Sequence, residues 1–226
     1  MTNRSVGGSI VHMQVTENTP EPGDAASSVE RILQAAEALF SEQGFDAASI
    51  SAIAERAGVS KANIFHHFSS KNALYLAVLQ DACKESRKQL ACMENSEGTF
   101  AERLAKYAAG HLQAILERED VARLILRDLL ESGTERGKEL AEQVFGQNFS
   151  ALVALLQEGQ RQGELRADVD VSTVAVMLIA ANVYYFHSRG VLRHMPQVDF
   201  GDDPQRYSAN MMHLMLHGIL TNPQEK

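Results

Sequence analysis

The chain has 226 residues, enough for one helical body and a smaller additional unit. An apolar fraction of 45% excludes bulk disorder, and a formal charge of −8 at pH 7 excludes a uniformly basic protein. Two cysteines exclude a disulfide scaffold and suit a reducing compartment.

Residues 1–26 are rich in Gly, Ser, Thr, Pro and Asn without periodicity and read as a flexible arm. Arg4 is the only Lys or Arg in it, which favours a passive tail over a segment inserted in a minor groove. The arm lacks the charged and apolar blocks of a signal peptide, no solenoid period follows, and the most apolar stretch, 174–186, is too short to span a membrane. A cytoplasmic protein is expected. Ser27 and Glu30 form a capping-box pattern that opens a first helix. Val29, Ile32, Leu33, Ala36, Leu39 and Phe40 stripe it, and Gly44 ends it.

Residues 49–68 then read as two short helices separated by a tight turn. Ile50, Ile53, Ala54 and Ala57 stripe the first, Gly58 closes it, Ser60 caps the second, and Ile64 and Phe68 face inward from it. Ala62 and His66 lie opposite that inner face, flanked by Asn63 and Phe65, with no acid among them. Such an outer face suits a helix laid in a DNA major groove, although a solvated helical hairpin would show the same pattern. Charge distribution favours DNA. Residues 29–90 carry seven basic and seven acidic side chains against thirteen and nineteen in 91–226, and within 48–72 Glu55 is the only acid beside Arg56, Lys61 and Lys71.

From Gly44 to Leu74 the chain reads Gly-Phe, Ala-Ser-Ile, Ile-Ala, Ala-Gly-Val-Ser-Lys, Phe-His-His-Phe and Ser-Lys-Asn-Ala-Leu. This order and spacing resemble the N-terminal domain of the TetR family of transcriptional regulators, over about residues 29–90. The resemblance implies an all-α protein: a three-helix helix-turn-helix domain (27–90) after the arm, then a larger helical ligand-binding and dimerisation domain (91–226). It also implies DNA contacts from Ser49, Ser51, Ser60, Lys61, Ala62, Asn63, Phe65, His66, His67 and Lys71. By chemistry, Ser49 caps a helix and can offer its hydroxyl to a phosphate, while the Asn63 amide is the best candidate for bidentate adenine readout. Ala62 stands where the family commonly has glycine. Phe65 stands where it usually has tyrosine, so one expected phosphate bond gives way to packing or a thymine-methyl contact. Lys71 opens a fourth helix, capped by Ser69 or Ser70 and running to about Met93, and corresponds to the family's phosphate-binding lysine.

The body should be helical throughout. Cys83 and Cys92 fall on opposite sides of the fourth helix, leaving a redox role open but no internal disulfide. After a break at 94–98, Thr99 and Glu102 cap the next helix, followed by helices over about 120–131, 134–162 (closed by Gly163), 170–193 from Asp170 or Ser172, and 204–221. Apolar residues surround almost the whole circumference of 174–186, which predicts a homodimer through the last two helices as a four-helix bundle. Tyr107, His111, Arg127, Phe149, Asn182, Tyr184 and His187 are candidate ligand contacts, with Asn148 and Tyr185 as further polar groups on apolar helices. Residue by residue, a satisfied core or interface group is the better explanation of each. Met177, Met211, Met212 and Met215 suggest an adaptable interior.

No phosphate loop, nucleophile elbow or paired-carboxylate motif is present, so no enzyme and no cofactor are expected. No metal is expected either, because His111, His187 and His194 share no i, i+4 face. The expected partners are a double-stranded DNA operator, a second copy and an unknown small-molecule effector, with no membrane. The expected action is repression of a near-palindromic operator by the dimer, relieved by a small, hydrophobic ligand. Control by a protein partner, or activation, stays open.

Overall fold

Capping chemistry sets the boundaries of most elements in the computed structural model, which describes residues 22–93, 97–131 and 133–219. The order is α1 (Pro22–Ala47), α2 (Ile50–Ala57), α3 (Lys61–His67), α4 (Lys71–Ala82), α5 (Lys84–Met93), α6 (Phe100–Glu117), α7 (Glu119–Glu131), α8 (Thr134–Leu140), a π turn (Ala141–Phe145), α9 (Gly146–Arg161), α10 (Val171–Leu192) and α11 (Pro204–Ile219). Among the described residues there is no strand element. The all-α expectation therefore holds.

The small head is built by local rules. Ser49, Ser60 and Ser70 each accept a backbone N–H from the third residue on, Ala52, Asn63 and Ala73, at 3.0–3.1 Å. Gly58 adopts φ 65°, ψ 38°, a left-handed conformation that costs other residues steric energy, and so ends α2. Gly44, at φ 83°, interrupts regular α1 geometry where the sequence expects that helix to end. The helix begins earlier than expected. Pro22, a residue suited to a first helical turn, opens α1, so Ser27 lies inside the helix and not at its cap. Residues 22–26 therefore belong to α1, and residues 1–21 of the expected arm lie outside the described residues.

Two apolar clusters hold the fold. One joins Ile32, Phe40, Ile53, Ile64, Leu74 and Tyr75 of the head to Val121, Leu124, Leu140 and Val144 of α7, α8 and the π turn. The rings of Phe40, Phe45 and Tyr75 meet within it at centroid distances of 5.0–5.9 Å. The other cluster joins Leu90 and Met93 of α5 to Phe100, Leu104 and Tyr107 of α6, Leu152 and Leu156 of α9, Val174 and Leu178 of α10, and Met212 of α11.

Two long helices expected from the sequence are interrupted. The fourth breaks at Cys83 into α4 and α5. The expected 134–162 helix contains a five-residue π turn. Gly146 follows that turn because a Cβ there would lie 2.6 Å from the Ala141 carbonyl oxygen. Thr99 and Glu102 form the expected reciprocal capping box, and Asp170, rather than Ser172, caps α10. At 22 residues, α10 is also long and apolar enough to cross a membrane, which corrects the expectation that no stretch reaches that length. Its inner face, including Ala175, Leu178, Asn182 and Tyr185, packs into the body instead.

Candidate functional site

The head presents one outward row. Ile64 is fully buried, which turns Lys61, Ala62, Phe65 and His66 of α3 to the exterior; Phe65 is 53% exposed. Ser49, Ser51 and Ser60 are exposed beside this row. His67 is half-buried, with its ring 5.0 Å from that of His66. Arg56, part of the expected basic footprint, is held by Glu42 through two 2.9 Å contacts.

Two expected DNA contacts are engaged within the protein. The Asn63 amide oxygen accepts the Ser28 hydroxyl at 2.8 Å, and the residue is half-buried against α1. Asn63 is thus turned toward α1, with one lone pair of its amide oxygen taken, so the bidentate adenine pairing expected of it would compete with the Ser28 bond. The reason is tertiary: Ser28, on another helix, offers a desolvated partner that α3 alone does not reveal. The Lys71 ammonium donates to the Asp46 carbonyl at 3.0 Å and lies 4.6 Å from the Phe45 ring centroid, clipping α4 to the corner between α1 and α2. Two of its three N–H groups remain for another acceptor.

A cavity of about 460 Å³ lies at the seam between the two apolar clusters. Val121, Ile125, Leu140 and Phe145 wall it from the head side, and Tyr107, Phe149 and Ile179 from the body side. Its polar groups are few. Tyr107 Oη and Ser86 Oγ are 3.2 Å apart in a hydrogen-bonded pair, and burial raises the Tyr107 pKa. The Asn182 amide nitrogen donates to the Ala108 carbonyl at 2.9 Å and to His111 Nδ1 at 3.1 Å, which leaves the imidazole proton on Nε2. Burial pushes the His111 pKa down to about 4, so the ring is neutral at physiological pH. The ring nevertheless keeps some accessible surface because it faces the cavity. Burial likewise pushes the Cys83 thiol up to about 11, leaving it protonated and weakly nucleophilic.

Arg118 is the only ionic side chain among the described residues that line the cavity. Its guanidinium pairs with Glu37 of α1 and, at 3.1 Å, with Asp81 of α4. Further ties join α4 to the segment that carries the π turn. Asn72 donates to Glu139 at 2.7 Å, Gln80 donates to the Gln143 carbonyl at 2.6 Å, and Asn148 of α9 donates to the Cys83 carbonyl at 2.9 Å. Arg136 gathers Asp128, Glu139 and Asn72 while lying over the Tyr75 ring. The cavity wall and the head are therefore linked by directional bonds as well as by packing.

Of the candidate ligand contacts, Tyr107, His111 and Phe149 line this cavity, and Asn182 stands behind His111. Arg127, Tyr184 and His187 do not. The exposed Arg127 lies against Gly44 of α1, while Tyr184, at 66% exposure, and His187 point away from the body on the outer face of α10. A helix apolar on nearly every side gives no periodic clue to which face turns inward. Ser86 and Arg118 escaped the sequence reading. Ser86 was detectable as the one polar member of the buried row Leu79, Ser86, Leu90 and Met93, whereas Arg118 becomes notable only once Glu37 and Asp81 converge on it.

The family model described as "Bacterial regulatory proteins, tetR family" matches residues 32–78, and "Tetracyclin repressor-like, C-terminal domain" matches residues 101–215. The HTH-type transcriptional regulator UidR of Escherichia coli (strain K12) is 26% identical over 202 residues, which cover 88% of this chain and 95% of that protein. The HTH-type transcriptional repressor KstR2 of Mycolicibacterium smegmatis is 27% identical over 161 residues, 68% of this chain and 75% of that protein. In fold, the chain resembles the transcriptional regulator FadR from Bacillus subtilis, solved in complex with stearoyl-CoA. The TM-score is 0.69 at 19% identity, over 84% of this chain and 98% of that one.

Proposed function

This chain belongs to the TetR family of DNA-binding, ligand-responsive transcriptional regulators, and we propose that it is a two-fold dimeric repressor released from its operator by a ligand in the Tyr107–His111 cavity. In this reading residues 27–90 are the reading head and 91–226 the sensing and dimerising body. The observation that carries it is the outward row of α3, Lys61, Ala62, Phe65 and His66, held rigid by buried Ile64 and carrying no acid. Lys61, His66, Lys71 and the α2 N-terminus with Ser49 and Ser51 supply phosphate contacts, with Ser60 and His67 beside them. Phe65 offers an apolar edge to thymine methyls.

A second copy completes the body. Val176, Met177, Tyr184 and Val191 on α10 and Leu214 on α11 are large apolar side chains left exposed, and Leu214 is 75% exposed. Two copies closing on a two-fold axis would bury them as a four-helix bundle. Two heads then meet DNA about 34–36 Å apart, which requires a near-palindromic site. The mostly apolar cavity favours a small hydrophobic effector over a protein partner. Arg118 and the α4 hydrogen bonds connect its wall to the head, and a coupling of about 1–3 kcal/mol between the two sites is enough to empty an operator.

The test is selection of bound fragments from sheared genomic DNA, followed by mobility-shift titration of the recovered site. Lys61→Ala and His66→Ala should each weaken binding several-fold, and affinity should fall steeply with salt. Unchanged affinity in both variants would remove α3 as the reading element.

A further inference from the structure

The effector cavity differs in charge from a site built to hold an acid. Among the described residues, Arg118 is its only ionic lining group, and Glu37 and Asp81 already surround that guanidinium with two carboxylates. Among the described residues no other lysine or arginine, and no acid, lines it. The remaining polar groups are neutral. Tyr107 and Ser86 share one hydrogen bond, which leaves one hydroxyl proton of the pair free to donate. His111 receives its Nδ1 bond from Asn182 and so turns a neutral Nε2–H outward from that contact. Asn148 donates one amide N–H to the Cys83 carbonyl and accepts from Arg87, and its second N–H is a further neutral donor in the lining.

A carboxylate or phosphate desolvated in such a chamber would meet no uncompensated cation, and its charge would repel the acids that hold Arg118. A hydroxyl or ketone would find neutral donors while the rest of the molecule filled apolar wall. Accepting the cavity as the effector site, we propose that it takes an uncharged, predominantly apolar molecule bearing one hydroxyl or carbonyl oxygen, seated against the Tyr107–Ser86 hydroxyls and the His111 ring. The cavity volume, about 460 Å³, limits this molecule to a compact skeleton toward the lower end of the usual range for ligand pockets, about 300–1,000 Å³. The charged wall group acts as part of the link to the head and leaves recognition to the neutral groups.

The experiment is calorimetric titration of the full-length protein at pH 7.5 with three probes of matched chain: 1-decanol, 2-undecanone and decanoate. The alcohol and the ketone should bind at least roughly tenfold more tightly than the carboxylate, because an unpaired buried charge is so costly. Tyr107→Phe combined with Ser86→Ala, checked for folding by its thermal melt, should weaken decanol and undecanone several-fold, and unchanged affinity for both would overturn the assignment of the oxygen seat. Decanoate binding as tightly as decanol in the wild-type protein, or none of the three binding, overturns the proposal whatever the variant does. Release of the selected DNA fragment is followed in parallel. If the neutral preference holds but decanol and undecanone leave the DNA bound, the ligand class stands and the effector role falls.

Discussion

Replacing Arg118 by methionine keeps most of the side-chain volume and deletes the charge that joins the cavity wall to two helices of the head. The guanidinium reaches Glu37 through Nε at 3.4 Å and through a second contact from Nη2, and Asp81 through Nη1 at 3.1 Å. Side-chain exposures of 31%, 24% and 31% place the three groups between two energetic limits. A surface ion pair contributes about 0–1 kcal/mol, and removing one partner of a fully buried pair costs about 3–5 kcal/mol. The expected loss is therefore about 2 kcal/mol, with two carboxylates left facing each other. For a chain of this size that corresponds to a melting-temperature drop of about 4–8 °C. Thermal denaturation by circular dichroism reads it directly. A double-mutant cycle with Glu37→Gln separates the pair from the packing, with a coupling of about 1 kcal/mol expected. A drop below about 1 °C, or a coupling indistinguishable from zero, would refute the argument that this contact ties body to head.

Three further outcomes follow from particular residues. Leu214→Glu would bury two unpaired carboxylates at a two-fold interface, so sedimentation should show monomers and DNA affinity should fall; an unshifted dimer would move the interface elsewhere. Gly146→Ala should cost about 1–3 kcal/mol on a thermal melt because its Cβ would lie 2.6 Å from the Ala141 carbonyl oxygen. A gain of about 1 kcal/mol, as for an ordinary helical glycine, would mean that the π turn relaxes freely. His111 has a folded pKa of about 4 against an ordinary value of 6.5, so the unfolded chain takes up its proton first as the pH falls. Its contribution is fully present above about pH 6.5 and declines toward pH 4 by up to about 3 kcal/mol. Between pH 7 and 5, His111→Gln should show a visibly flatter loss of stability than wild type, and parallel curves would contradict the neutral burial.

How much of this was legible without the fold depends on how local the physics is. Ser49, Ser60, Gly58, and Thr99 with Glu102 act within one helical turn of their own position, so residue type and spacing sufficed for those boundaries. The head's apolar stripe worked for the same reason, since Ile50, Ile53, Ala54 and Ala57 recur at helical spacing and so mark one face of α2 as the core face. Sequence therefore determined an all-helical chain with a helix-turn-helix head and apolar final helices. The tertiary structure decided everything that requires two distant segments to meet. It turned Asn63 toward Ser28, directed Tyr184 and His187 away from the cavity, inserted the π turn before Gly146, and brought Glu37 and Asp81 to Arg118. Periodicity states how apolar a helix face is. Only packing against other helices selects which face is buried, and desolvation of a polar group depends on partners dozens of residues away.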